Sequence, residues 1–413
     1  MARIAHESSE LNWYLFEESV SMLEQSGYPE HRYSLISAMK RQVALFSKFR
    51  FVAKVFWALA KFRRKLVSPT DAPALLLDHE TIRYPSILHE ASKTTSIYCT
   101  GFRSAYYIKK NVFYLPIFGI LEALYSGILG DDDDRMNQGI EKLRRVFKEV
   151  NPGVIVLGKD NMPVGRAIVL VARQLGIPTV EIQHGIYQSN SPLNTGRYVD
   201  YVFVWGEYFK QLYLKQNLRA EATIKVLGYP YELQSLPQGH KKQRLNVYYL
   251  GQNVEMYNSQ LLESKLETIE ALDKMCKKLG FAFTYRPHPG DSRASLREKL
   301  PDVKFSPKSE TLEKSSMQGD IFISFSSTSL VEIALRGKLC IQLRNYRLST
   351  DNFEDLGICP RSFDSIDEVA GYLKDIGETG DLNQFYRPVS SKYIEIPQPN
   401  SGTAFVKLIK GIT

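Results

Sequence analysis

Short apolar runs separated by helical segments occur twice along this chain, and that alternation limits what it can fold into. Asn151-Pro152-Gly153 signals a turn and Val154–Leu157 is an apolar run of strand length. Pro163–Leu175 then carries helical periodicity, with Gly176 placed as its C-cap. Thr179–Ile182, Tyr201–Trp205 and Ile224–Leu227 read as further strands. The rhythm restarts at Asn246–Leu250, continues through Phe281–Tyr285, Ile321–Ser324 and Leu339–Leu343, and has helices over Asn258–Leu279 and Ser329–Leu335. Uniformly apolar strands alternating with helices pack as a parallel sheet covered on both faces. The expected fold class is therefore α/β, with two Rossmann-like domains facing across a cleft and a helical N-terminal segment. Ligands belong at the carboxyl ends of such strands.

The texture of the chain sets the expected boundaries: residues 1–70 helical, 71–235 the first Rossmann-like domain, 245–385 the second, and 386–413 a tail or helix packing back. The polar stretch Pro230–Arg244, with Pro237, Gly239 and His240-Lys241-Lys242, is the expected linker. At 413 residues the chain can bury large cores without covalent staples. Its four cysteines lie far apart, without CxxC or Cys/His ligand spacing, which points to a reducing compartment and no metal. The start, MARIAHESSELNW, lacks the basic and apolar regions of a secretory signal, so a cytoplasmic location is expected. There is no GxGxxG and no GxxxxGK[ST], which removes the main support for a dinucleotide oxidoreductase or a P-loop ATPase.

A formal net charge of +8 favours an anionic partner: a nucleotide-activated substrate, a phospholipid surface or nucleic acid. No aromatic-interleaved basic strand or recognition helix is visible, which argues against nucleic acid. Val112–Gly130 has the length of a membrane span but holds Pro116 and Glu122, so it reads as a core strand and helix. Ala38–Leu66 combines apolar residues near helical spacing with nine lysines and arginines. Such a helix can lie on an anionic bilayer or pack on the core with a solvated basic face.

Four constellations follow strands. Tyr285-Arg286-Pro287-His288-Pro289-Gly290-Asp291 restricts the backbone with two prolines and offers a guanidinium fork suited to phosphate. The bland reading is a rigid turn. Ser324-Phe325-Ser326-Ser327-Thr328-Ser329 opens a helix containing Glu332, and small hydroxyls with free amides at a helix start suit an anion. N-capping by Ser326 or Ser327 is compatible with that role. Glu332 can accept from a ribose hydroxyl or answer the helix dipole. Glu181-Ile182-Gln183-His184-Gly185 places an imidazole at a strand end, a reasonable general base near neutral pH. Lys159-Asp160-Asn161 puts Asp160 at the adjacent strand end, as a catalytic partner of His184 or as a turn and helix cap. The run Asp131–Asp134 lacks the spacing of a calcium loop and reads as a solvated loop or helix start. Asp78-His79-Glu80, past a possible first strand, is a weaker feature of the same kind.

Taken together, Gln183-His184-Gly185, Val204-Trp205-Gly206 with Leu227-Gly228-Tyr229-Pro230, Arg286-Pro287-His288-Pro289, and Ser326-Ser327-Thr328 with Glu332 resemble a known pattern. Over roughly residues 150–345 the chain resembles the GT-B-fold bacterial glycosyltransferases of capsule and surface-polysaccharide assembly. The families nearest to it use cytidine-nucleotide donors: capsule Kdo transferases, bacterial sialyltransferases and polyol-phosphate polymerases. The resemblance implies a metal-independent transferase moving a CMP-linked, ulosonic-acid-type sugar to a glycan or lipid-linked acceptor. It places the nucleotide on His288, Ser326 and Ser327, with Arg286, Pro289, Thr328 and Glu332 around it, and catalysis on Asp160 or His184. No further cofactor is implied. An Asp/Glu-Asp/Glu-Gly base motif, as in the sialyltransferases, is absent. The alternatives on the same fold are a CDP-polyol phosphotransferase and a non-hydrolysing sugar-nucleotide epimerase. With the basic segment 38–66 on lipid, the enzyme would be peripheral on the cytoplasmic face of the inner membrane.

Overall fold

The computed structural model describes residues 9–25, 31–48, 74–78, 84–100, 112–115, 117–187, 189, 195–216, 222–233, 244–256, 258–348 and 350–412. Backbone contacts divide the chain into two units. The first comprises Met1–His184, Pro192–Glu232 and Ile394–Thr413, and the second Gly185–Ser191 and Leu233–Tyr393. The chain changes unit after His184, Ser191, Glu232 and Tyr393; residues 234–243 of the expected linker lie outside the described residues.

The first unit is built on a seven-stranded, wholly parallel sheet. Its strands are β1 (Ala74–Leu77), β2 (Ile97–Cys99), β3 (Val112–Tyr114), β4 (Pro152–Leu157), β5 (Thr179–Ile182), β6 (Tyr201–Val204) and β7 (Thr223–Val226), in the order β3-β2-β1-β4-β5-β6-β7. Val154, Ile155, Val156 and Leu157 are all buried, as a strand covered on both faces requires. Each such side chain contributes about 1.5–3 kcal/mol of transfer free energy. The helix Pro163–Gln174 starts on its proline and buries Ala167, Ile168, Val171 and Ala172. Gly165 in its first turn admits no Cβ, because Lys159 O occupies that space.

Val112–Gly130 is divided as its composition suggests, into β3 and the helix Phe118–Gly130. Among the described residues no helix is long and apolar enough to cross a membrane. The acidic run is a helix–helix corner. Asp131 ends the first helix in the left-handed region (φ 50°), and Asp132 caps Asp133–Val150 by accepting from Arg135 N at 3.0 Å. Asp131 and Asp133 also accept from Asn12 Nδ2 (2.7 Å) and Ser9 Oγ (2.6 Å), which docks the N-terminal helical segment. That segment runs through Glu10–Asn12, a π turn Trp13–Glu17 and Glu18–Gln25, followed by His31–Lys48 packed on Phe118–Gly130. Residues 38–48 of the basic stretch belong to this last helix, and 49–66 lie outside the described residues. At the other end of the chain, the helix Ser401–Lys410 joins the first unit, with Ser401 Oγ 2.6 Å from Ser86 Oγ and donating to Pro230 O at 3.0 Å.

The second unit has a five-stranded parallel sheet: β8 (Asn246–Leu250), β9 (Ala282–Arg286), β10 (Ile321–Ser324), β11 (Leu339–Leu343) and β12 (Arg361–Phe363), ordered β12-β11-β10-β8-β9. Val247, Phe283, Ile321, Ile323 and Ile341 meet Ile269 and Leu373 in its core. Strands β2 and β12, three residues each, are too short to register as apolar runs. Strand order reverses between β1 and β4 in the first sheet and between β8 and β10 in the second. These switch points are where ligand crevices form in open parallel sheets.

Candidate functional site

In the first unit the switch point is closed by hydrogen bonds. Asp78, buried at the end of β1, accepts from Gly158 N at 2.9 Å; His79 and Glu80 lie outside the described residues. Asp160 follows β4 and is 0% exposed. Its Oδ1 accepts from Gly196 N (2.8 Å), and its Oδ2 from Tyr198 N (2.6 Å) and Val199 N (3.4 Å). Glu181, at the end of β5, is equally buried and accepts from Asp160 N at 2.7 Å, Gly196 N at 3.2 Å and the Thr195 hydroxyl.

Two carboxyls sealed together do not both ionise readily. Burial, and then the neighbouring Asp160 charge, push Glu181 well above the usual carboxylate range. Burial also raises Asp160, but the Tyr198 and Gly196 amides oppose it, so Glu181 is the partner that keeps the proton. The pair pins the turn 195–199, and no part of Asp160 is left to meet a substrate. This departs from both expectations for Asp160: it is sealed rather than placed as a partner of His184, and it does not cap the helix Pro163–Gln174, whose N-cap Met162 makes no side-chain capping hydrogen bond.

The neighbouring motif residues are structural too. Gln183 Oε1 accepts from Trp205 N at 2.9 Å, and its backbone oxygen accepts from the Trp205 indole at 2.8 Å. Trp205 packs edge-on against Tyr229, 5.0 Å between ring centres. Gly228 holds φ at 85°, with Pro397 Cγ 2.6 Å from where a Cβ would stand, so only glycine fits the Leu227-Gly228-Tyr229-Pro230 corner. His184, half-buried, is the imidazole of this strand end.

Arg166 is the group that sequence reasoning missed here. It is wholly buried and bonds Tyr14 O, Glu18 Oε2 (2.9 Å) and the Tyr198 hydroxyl, with its guanidinium 4.1 Å from the Tyr198 ring centre. The available signal was an arginine at a core-facing position of the apolar helix Pro163–Gln174.

In the second unit the switch point carries open donors. Ser324 Oγ, at the end of β10, donates to Leu250 O of β8 at 2.9 Å. Next to it, Gln252 Oε1 accepts from Ser326 N (2.8 Å), while its Nε2 donates to Ser326 Oγ (3.2 Å). The amide N–H can only donate, which fixes the orientation of the Gln252 side chain. Ser326 Oγ therefore receives from Gln252 and keeps its own proton for another acceptor. Ser327 caps the helix Thr328–Leu335 by accepting from Ser329 N at 3.2 Å, and the Ser327 and Thr328 amides donate to no atom of the described residues. Thr328 Oγ1 accepts from Ile186 N at 3.4 Å.

At the end of β9, Pro287 is buried while His288, Pro289 and Gly290 form an exposed turn. His288 Nδ1 accepts from Gly290 N at 3.1 Å, so the ring proton sits on Nε2. Crowding around the ring holds the imidazole below its usual pKa despite the exposure of the residue, with Asp291 opposing. At neutral pH His288 is thus a neutral donor.

Two expected phosphate or sugar contacts have other partners. Arg286 Nη1 donates to Glu310 O (2.9 Å) and Ser315 Oγ (3.0 Å). Glu332 pairs with Arg336 one turn on, at 3.0 Å. Gln252 was not foreseen from sequence; a polar residue directly after the apolar run Asn246–Leu250 was the available signal.

No protein-family model and no curated protein sequence matches this chain. Solved structures do match it. It is similar to the UDP-GlcNAc 2-epimerase of Methanocaldococcus jannaschii, with a TM-score of 0.55 and 17% identity over 82% of this chain and 99% of that one. It is also similar to the Neisseria meningitidis UDP-GlcNAc 2-epimerase bound to UDP-GlcNAc (0.53, 15%, covering 82% and 98%). Arabidopsis thaliana UGT89C1 matches with a TM-score of 0.50 and 12% identity, covering 82% and 99%. At these identities the likeness is one of fold, and the fold is that of GT-B enzymes: α/β, with two units each built on a parallel sheet.

Proposed function

We propose that this protein acts on a nucleotide-activated sugar, with the second unit holding the phosphate-bearing end of the nucleotide. The observation that carries this reading is the set of open donors at the β8/β10 switch point. The Ser326 hydroxyl and the Ser327 and Thr328 amides donate to no acceptor among the described residues, and His288 presents Nε2–H at the neighbouring strand end. Donors held ready for developing negative charge stabilise a departing nucleotide without reorganisation.

Two chemistries fit such a donor. Likeness to the UDP-GlcNAc 2-epimerases favours a uridine nucleotide and epimerisation of its sugar. In the first unit, Asp78, Asp160 and Glu181 are buried and bonded to backbone amides. The likeness supports the epimerase at least as well as the transferase; in a transferase, His184 rather than Asp160 would activate the acceptor hydroxyl. The cytidine donor and surface-polysaccharide acceptor rest on the sequence resemblance alone.

Thermal shift against CMP, CDP, UDP, GDP and their activated sugars identifies the donor, because a ligand of the native state raises the melting temperature. No shift with any of them overturns the reading. Incubation with the selected sugar nucleotide in D2O then separates the chemistries. Epimerisation by elimination exchanges hydrogen for deuterium at the inverted carbon without an acceptor, whereas transfer leaves that carbon protiated. On the same reading, Lys40 and Arg41, exposed on the helix His31–Lys48, meet an anionic lipid surface, which co-sedimentation with phosphatidylserine vesicles tests.

A further inference from the structure

Beneath the His288 turn lies a buried ion pair that the proposed chemistry does not use. Lys265, on the helix Leu261–Lys278, is 1% exposed, and the side chain of Asp291 is 0% exposed; their Nζ and Oδ1 are 2.8 Å apart. Lys265 also donates to both oxygens of Glu255, at 3.1 and 3.0 Å, in the turn that follows β8. Asp291 Oδ2 accepts from the His288 amide at 2.9 Å and from the Tyr285 hydroxyl at 3.2 Å. The backbone closes the same turn, Asp291 N donating to His288 O at 3.0 Å.

Taking such a pair out of water is unfavourable, and an apolar pair of equal volume would often hold a fold as well. What the ion pair supplies is direction. It ties three pieces of chain together: the segment after β8, the segment after β9, and the helix that packs on both. Gly290 lies inside this knot, with the Asn253 side-chain amide 2.9 Å from where its Cβ would stand. Its amide donates to His288 Nδ1 and so favours the tautomer with that nitrogen unprotonated.

We infer that Asp291, with Lys265 as its counter-ion, is a positioning residue that locks His288 as an Nε2–H donor toward the nucleotide. The role in binding rests on the functional reading above; the locking of the imidazole does not. Asp291 touches no ligand. It acts through the His288 amide and through Gly290, so a change at Asp291 alters the tautomer of a ring that it does not contact.

The test uses the full chain labelled with 15N-histidine. In the wild type at pH 7.5, the long-range 1H–15N spectrum is expected to show His288, identified by its loss in His288→Gln, with a pyridine-like Nδ1 and a protonated Nε2. The Nδ1–H form would overturn the inference before any variant is made. In Asp291→Asn the ring is expected to become a mixture of the two neutral tautomers. The dissociation constant for whichever of UDP-GlcNAc or CMP shifts the melting curve should rise about tenfold. Because the effect travels through His288, Asp291→Asn added to His288→Gln should weaken binding by less than about twofold further. If Asp291→Asn does not fold, Lys265→Gln/Asp291→Asn removes both charges together and serves the same readouts. A folded variant with an unchanged His288 spectrum, or with additive losses, refutes the inference. If no nucleotide binds while the tautomer responds as stated, the positioning role stands and the functional reading falls.

Discussion

Asp160→Asn separates a structural carboxylate from a catalytic one. The carboxylate presents two acceptor oxygens, Oδ1 to Gly196 N and Oδ2 to the Tyr198 and Val199 amides. Asparagine keeps one. Its better orientation turns the oxygen toward Tyr198, which sets the new NH2 against the Gly196 amide, donor facing donor. A buried donor left unsatisfied costs about 1–3 kcal/mol. Exchanging a charged acceptor for a neutral one at Tyr198 removes about 1 kcal/mol more. Gly196 N retains Glu181 Oε2 at 3.2 Å, which limits the loss, so the sum is about 3 kcal/mol. With a urea m-value of about 3 kcal/mol/M, the unfolding midpoint falls by about 1 M. Tryptophan fluorescence reads this in the right place, because Trp205 is fully buried in the first unit. A catalytic carboxylate behaves in the opposite way, and its neutralisation leaves stability unchanged or raises it. If Asp160→Asn unfolds within about 0.5 kcal/mol of the wild type but abolishes turnover, the carboxylate meets the substrate and the reasoning above is wrong.

Three further outcomes follow from the same geometry. Glu181 holds its proton far above the unfolded value of about 4.3, so between that pH and its raised folded value the native state binds more protons and stability falls as pH rises. Urea midpoints taken across this range should show that fall in the wild type and lose it in Glu181→Gln; an identical pH profile would place the proton elsewhere. Gln252→Glu keeps an acceptor for Ser326 N but draws the Ser326 hydroxyl proton to itself, so isothermal titration should show nucleotide binding weakened at least about tenfold, with melting unchanged. Arg286→Ala breaks the bonds to Glu310 O and Ser315 Oγ, and should cost about 1–3 kcal/mol of stability while nucleotide affinity stays within about twofold; a large affinity loss at unchanged melting would return Arg286 to the phosphate.

The amino-acid sequence by itself determined the α/β class, because buried parallel strands such as Val154–Leu157 and Ile321–Ser324 must be apolar on both faces, and apolar runs alternating with helical periods survive in one dimension. It also determined which polar loops stand at carboxyl ends of strands: Lys159-Asp160, His184-Gly185, Arg286-Pro287-His288 and Ser326-Ser327 all do. It did not determine which of those residues face solvent. Asp160 and His184 look equivalent as strand-end polar residues, yet the turn 195–199 seals one of them and leaves the other half-buried. Arg286 and His288 sit two residues apart in one motif, and partners from residues 310–315 take one while the other stays exposed. The assignment of Gly185–Ser191 to the second unit was equally hidden. In each case the deciding partner lies well over ten residues away, and burial, protonation and hydrogen-bond direction are set by such neighbours rather than by residue type or spacing.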